Sequence, residues 1–174
     1  MRKIIATLTV VIATTIAVLA GSSAHASSHN NDTMTEARAG QVYLTQICST
    51  NAAIDRLNDA LPLRANHRWH SRDLKGHVFT DVKRATRNMR DVTQSVSSRL
   101  FNPPKDWPNN VAWRVQRMAS GYARESVIYR DLSLASTGRQ FARIWDRLDN
   151  VSYLSRISGQ IRARLNLPPV GRGC

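Results

Sequence analysis

Apolar residues recur at intervals of three and four along four stretches of this chain. This spacing places apolar side chains on one face of an α-helix and leaves the opposite face polar. No stretch alternates apolar and polar residues as a half-buried strand does. The pattern therefore predicts an all-α, four-helix-bundle-like single domain. The apolar stripes run from Tyr43 to Leu61, from Leu74 to Leu100, from Val111 to Leu132 and from Phe141 to Leu165.

Start and stop signals separate the first three predicted helices. Thr33 and Glu36 have the spacing of a capping box, in which a hydroxyl and a carboxylate bind unpaired N–H groups at a helix start. Pro62 ends the first helix, because proline cannot continue the hydrogen-bond ladder. Ser71 is the expected cap of the second helix, which ends at Asn102 before two prolines. Asn110 is the expected cap of the third.

The last stretch is predicted to be a kinked or split helix. Ser136, Thr137 and Gly138 form the turn before it. Its apolar face changes direction beyond Asn150, because the residues that follow share a different helical phase from Phe141. The later stripe comprises Leu154, Ile157, Ile161 and Leu165.

The first 26 residues have the organisation of a secretory signal. Arg2 and Lys3 precede an apolar run over residues 4–20, and Ala24-His25-Ala26 follows as a cleavage site. We therefore expect a signal peptide over residues 1–26, a disordered linker over 27–32 and the helical domain over 33–174. The protein is expected to be secreted or extracytoplasmic and associated with the cell envelope. An uncleaved N-terminal anchor remains the alternative, because the apolar run approaches the length of a membrane span.

The only two cysteines are Cys48 and Cys174. An even pair in an exported chain is typical of a disulfide. Cys48 lies beside the first apolar stripe, on a flank that the C-terminal tail could reach. We predict a disulfide between them that ties the tail back to the first helix.

Basic residues outnumber acidic ones by 25 to 12, for a formal net charge of +13. On the second helix the cations share a face opposite the apolar stripe, and those of the last stretch do the same. A face of one charge sign attracts polyanions, although many such faces are only solvated. We predict an anion-binding surface whose partner is an anionic envelope polymer, a lipid surface or an acidic protein, with nucleic acid less favoured. The predicted anion-binding residues are Arg72, Lys83, Arg87, Arg90, Arg139, Arg143 and Arg147.

His70, Asp73 and His77 are the candidate metal ligands. If one helix carried all three, steps of three and four would place them on one face. We favour a loop-to-helix junction in which Asp73 interacts with the helix N-terminus. No metal, cofactor or catalytic residue is predicted, because the chain has no zinc, P-loop, dinucleotide or nucleophile-elbow motif.

Two carboxylates lie close to the predicted apolar stripes. Asp81 and Glu125 could form an acid–base site in the core. We favour ion pairs at the edge of the core, in which each carboxylate meets an arginine such as Arg99 or Arg114.

Four tryptophans lie among the arginines. Trp69 and Trp107 fall in loops, and Trp113 falls off the stripe of its helix. Such rings can stack on bases or sugars, but we favour their packing at the ends of the helices, because tryptophan is usually mostly buried.

The segment Tyr43-Leu-Thr-Gln-Ile-Cys48-Ser-Thr-Asn51 resembles the first helix of uncharacterised small exported helical proteins of actinobacteria. The resemblance covers this helix and the signal, and it implies an envelope or extracellular helical protein without carrying over a catalytic residue. We therefore expect a non-enzymatic envelope protein that binds anionic partners. A secreted hydrolase or metal-dependent enzyme and a secreted protein-binding inhibitor are the alternatives.

Overall fold

The structure, a computed structural model that describes residues 33–63 and 69–169, is all-α over those residues, as predicted. The signal peptide over 1–26 and the linker over 27–32 lie outside them. No helix among these residues has the length and apolar character needed to cross a bilayer. The helices are α1 (Glu36–Ala60), α2 (Gly76–Phe101), α3 (Ala112–Leu134), α4 (Gly138–Trp145) and α5 (Tyr153–Arg164), with 3₁₀ turns over Ser71–Asp73 and Asp146–Val151.

Three long helices form the centre of the fold, with α2 packed along both α1 and α3. Their buried side chains form two apolar clusters. One cluster joins the start of α1 and the end of α2 to α5, through residues such as Tyr43, Val96 and Ile161. The other joins the end of α1 and the start of α2 to α4, through Leu57 and Phe141 among others. The fourth predicted helix is thus divided between the two ends of the fold.

The predicted cap of the first helix is wrong by two residues. Thr35 is the cap, and its hydroxyl accepts a hydrogen bond from the Arg38 amide at 3.3 Å. Thr33 lies upstream in a backbone bridge with Asp106. Glu36 accepts a hydrogen bond at 2.8 Å from Asn110, so its carboxylate serves a contact with the loop before α3 instead of a capping box.

The predicted start of the second helix is also wrong. Ser71 begins a 3₁₀ turn, and α2 starts only at Gly76, whose φ of +52° is a conformation that favours glycine. The third helix has Val111 as its cap, without a side-chain hydrogen bond, so Asn110 does not cap it. The predicted ends before Pro62 and at Asn102 are confirmed.

The split of the last stretch is confirmed. α4 ends at Trp145, a 3₁₀ turn runs through Asn150, and α5 begins at Tyr153. Thr137 caps α4 by accepting a hydrogen bond from the Gln140 amide at 3.1 Å. The Gln140 side chain in turn accepts one from the Ser136 amide at 2.9 Å. This cap resembles the capping box expected at the first helix, except that Gln140 binds the amide before the cap residue instead of the amide of Thr137 itself.

Candidate functional site

The aromatic side chains near one end of the molecule form a cluster that joins α2 to α4. The Trp69 ring lies 5.7 Å from Phe141 and 5.6 Å from Trp145, both edge-on. Phe141 also contacts Phe79 of α2 at 6.1 Å. Phe141 is fully buried, whereas the other three rings are half-buried and reach the surface. Trp69 therefore packs at an end of the helices, as favoured from the sequence.

Basic residues lie on the elements that carry these rings or contact them. Lys83 lies one helical turn after Phe79, with its Nζ 5.4 Å from the ring centroid, and Arg87 lies one turn further along α2. Arg72 belongs to the 3₁₀ turn that contacts α4, which carries Arg139 and Arg143. The four arginines are exposed and Lys83 is half-buried. We call these five residues and the four rings the basic end.

Two of the predicted anion-binding residues are engaged in ion pairs. Arg90 lies 2.7 Å from the Asp91 carboxylate, and Arg147 lies 2.8 Å from Asp131 on α3. Partial burial opposes ionisation of Asp131, but hydrogen bonds from Arg147 and Arg130 outweigh it and lower the pKa of this carboxyl. The five cations of the basic end form no ion pair with any described residue.

The structure does not gather the candidate metal ligands. Their grouping required one continuous helix, but His70 precedes the 3₁₀ turn that contains Asp73, and His77 lies on α2 beyond the left-handed Gly76. Among the described residues, no three His, Cys, Asp or Glu side chains form a group that could hold a metal ion.

The first cysteine lies on α1 and is not a free thiol. Its predicted partner, Cys174, lies outside the described residues, so the bond between Cys48 and Cys174 stays a prediction. The backbone nearby favours such a tie, because α1 contacts the segment that leads to Cys174: a Cβ on Gly40 would lie 3.0 Å from the Leu167 side chain.

The remaining tryptophans differ in burial. Trp107 is buried, and its indole donates a hydrogen bond to the Leu100 carbonyl at 2.9 Å, which closes the end of α2. Trp113 is 50% exposed, with the Arg114 guanidinium 4.3 Å from the centre of its ring. The prediction that it lies off the buried face of its helix is confirmed.

A cleft between α1, α3 and α5 is the feature that sequence reasoning missed. Its volume is about 330 Å³. Apolar side chains form most of its wall, and hydroxyl groups and one carboxyl, that of Glu125, lie among them. Ile54 belongs to the predicted stripe of α1 but is 40% exposed, because it lies at this cleft instead of inside the core.

The prediction that each near-core carboxylate pairs with an arginine is confirmed for Asp81 and wrong for Glu125. The partner of Asp81 is Arg84, one turn away on the same helix at 3.1 Å, and neither of the two arginines given as examples. Arg114 donates a hydrogen bond to the Asn110 carbonyl at 3.2 Å. Glu125 forms neither a hydrogen bond nor an ion pair with the described residues, and burial raises its pKa to about 7.

A buried arginine holds the C-terminal segment. Arg162 is only 2% exposed, and its Nη1 donates to the carbonyls of Pro168 at 2.9 Å and Pro169 at 3.4 Å. The Leu167 amide returns a hydrogen bond to the Arg162 carbonyl at 2.9 Å. The only sequence signal for this role is an arginine directly after Ile161 in an apolar stripe.

The fold and these two sites define an all-α protein with a basic end that contains aromatic rings and a separate cleft lined by the Glu125 carboxyl. Comparison with protein-family models, with curated proteins and with solved structures finds no match. Functional inference therefore depends on the chemistry of the sites alone.

Proposed function

We propose that this chain is an exported, non-enzymatic binding protein of the cell envelope that holds anionic partners on its basic end. The observation that carries the proposal is a set of five cations without ion-pair partners among the described residues, on the elements that carry half-buried aromatic rings or contact them. Arginine forks bind phosphate in bidentate geometry, and tryptophan rings favour the boundary between an apolar phase and water. Both properties suit phosphate-bearing lipid headgroups or wall polymers.

The test is co-sedimentation of the protein with vesicles of phosphatidylglycerol and phosphatidylcholine, and with phosphate-bearing wall fragments. Binding is expected to weaken steeply as salt rises, because exposed charges are screened within about 8–10 Å. Reversal of Arg87, Arg139 and Arg143 to Glu should weaken binding on the order of a hundredfold or more, since each cation near an anionic surface contributes about 1 kcal/mol.

A matched control distinguishes binding by a specific face from a general effect of net charge. Arg56, Arg124 and Arg156 are exposed arginines on α1, α3 and α5, and their reversal to Glu changes the net charge equally. The control variant should keep most of the binding. Wild-type sedimentation of the basic-end variant at low salt would overturn the proposal, and equal loss in both variants would reduce it to a net-charge effect without a specific face.

The enzyme alternative predicts a different result. A metal-dependent hydrolase would lose activity on substitution of His70, Asp73 or His77, with sedimentation unaffected. The separation of these residues by the 3₁₀ turn and Gly76 gives this alternative no geometric support in the described part of the chain.

A further inference from the structure

The cleft between α1, α3 and α5 has the dimensions and lining of a small-molecule site. Its volume of about 330 Å³ lies within the range of ligand pockets. The side chains of Ile47, Ile54 and Leu154 form an apolar wall. Ser152 and Ser155 are exposed at its border, so the cleft is open to solvent on the α5 side.

Several polar groups of the lining have partners inside the protein. The Thr50 hydroxyl donates a hydrogen bond to the Gln46 carbonyl at 3.5 Å, and the Ser158 hydroxyl lies 2.7 Å from that of Tyr43. Arg162, on the α5 wall, donates to the carbonyls of Pro168 and Pro169. These groups are engaged in contacts within the protein.

Glu125 differs from them, because no described residue donates a hydrogen bond to it or pairs with it. It lies on α3 between Tyr122 and Tyr129, one turn from each, and all three side chains line the cleft. Glu125 is half-buried at the cleft. A carboxylate partly removed from water without a partner is unfavourable, and a cation placed beside it would restore the lost interaction.

The charge and chemistry of this wall select the ligand class. An ammonium group donates hydrogen bonds to a carboxylate and is attracted to the faces of tyrosine rings. An anion would be repelled by the Glu125 carboxylate, and a neutral ligand would leave that carboxylate without a counter-charge. The cation of the described lining, Arg162, is engaged with the Pro168 and Pro169 carbonyls. The described lining contains one carboxyl and neither histidine nor cysteine, so it lacks the paired groups of an acid–base or nucleophilic site.

We propose that the cleft binds a small organic amine, whose ammonium group lies at Glu125 and whose apolar body packs against Ile47, Ile54 and Leu154. The site is separate from the basic end, so the proposal of amine binding does not depend on anion binding. Apart from Glu125, the ionisable groups of the lining are Tyr122 and Tyr129 on α3 and Arg162 on α5, and α1 contributes only the uncharged Ile47, Thr50, Asn51 and Ile54. Because burial raises the Glu125 pKa to about 7, affinity should increase as the pH rises through this value while the amine stays protonated.

The experiment is titration of the full chain with 2-phenylethylamine, followed by calorimetry and by amide chemical shifts. The amine should bind saturably, with the largest shifts around Glu125, Tyr129 and Ser155. The neutral 2-phenylethanol should bind at least tenfold more weakly. E125Q should lose at least tenfold in affinity for the amine, whereas E36Q, which changes the only other glutamate, should bind as the wild type.

A second variant keeps the test decisive if E125Q alters the fold. Ser155 is exposed at the border of the cleft, so S155L should fill the opening and weaken binding without disturbing the core. The proposal is overturned if the wild type shows no saturable shifts with the amine, if E125Q binds it as tightly, or if the alcohol binds equally well.

Discussion

The Tyr43 hydroxyl and the Ser158 Oγ lie 2.7 Å apart in a buried contact that joins the first helix to the last. The same hydroxyl lies 3.5 Å from the Met118 sulfur on α3, so this tyrosine of α1 contacts two other helices within one apolar cluster. Burial raises the Tyr43 pKa to about 12, against the smaller opposing effects of Ser158 and Arg162. Tyr43 is therefore a neutral hydrogen-bonding group of the core.

Replacement of Tyr43 by Phe should lower the free energy of unfolding by about 1–2 kcal/mol, because Ser158 loses a buried partner. Denaturant titration measures the loss. Y153F is the control, since the Tyr153 hydroxyl forms no hydrogen bond with the described residues. A double-mutant cycle with S158A should show coupling between Tyr43 and Ser158. Additive effects of the two substitutions would contradict the interaction.

Gly138, the first residue of α4, should not tolerate alanine. A Cβ at this position would overlap the backbone carbonyl oxygen of Ser71, which cannot move as a flexible side chain does. We expect G138A to lower the free energy of unfolding by about 2 kcal/mol. G159A is the matched control: a Cβ there meets nothing within 4 Å, so the helix should gain about 0.5–1 kcal/mol. Equal thermal denaturation curves for the two variants would refute this packing.

Glu125 should make stability depend on pH. Burial raises the pKa of its carboxyl from 4.5 to about 7, so between these values the folded protein binds a proton that the unfolded chain does not. The stabilisation that comes from this bound proton is fully present below about pH 4.5, and it is lost as the pH rises through 7. At about pH 8, E125Q should be more stable than the wild type by on the order of 2 kcal/mol.

Denaturant titrations of the wild type, E125Q and E36Q over this pH range provide the measurement. Only E125Q should lose the part of the pH dependence that lies between the two pKa values. If E125Q follows the wild-type curve at every pH, the Glu125 carboxyl is not desolvated in the folded state.

The buried Arg162 should control the order of the C-terminal segment. R162K keeps the charge but loses the guanidinium whose Nη1 donates to the Pro168 and Pro169 carbonyls. Hydrogen exchange of the Leu167 amide should become faster in R162K. The neighbouring exposed Arg164 provides the control, and R164K should leave this amide as protected as in the wild type. Unchanged protection in R162K would contradict the role of Arg162.

The disulfide prediction has a direct test by intact mass. Protein recovered from the extracytoplasmic space should be two hydrogens lighter than its reduced form, and reduction should lower the free energy of unfolding by about 2–4 kcal/mol. Complete labelling of Cys48 and Cys174 by a thiol reagent under native and denaturing conditions would exclude the bond.

Much of the helical architecture could be predicted from spacing alone. Helix faces depend on residues three and four apart, and proline removes a backbone donor wherever it stands. The burial of Val115 and Leu132 and the end of α1 before Pro62 follow from these local rules. The start of α2 does not follow from local rules. The 3₁₀ turn at Ser71 packs against Gly138 of α4, an element distant in the chain, and this contact favours a 3₁₀ turn over a continuous helix.

The features of the candidate sites also divide into those set by local sequence and those set by contacts between distant residues. The sequence by itself determined the all-α class, the helix faces and the placement of Lys83 and Arg87 one turn apart on α2. Each of these depends only on neighbours within about one helical turn. Only the tertiary structure decided that Arg147 pairs with Asp131 and that Glu125 lines a cleft with no hydrogen-bond or ion-pair partner among the described residues. Ion pairing and desolvation depend on which helices meet, and that is set by contacts between residues far apart in the chain.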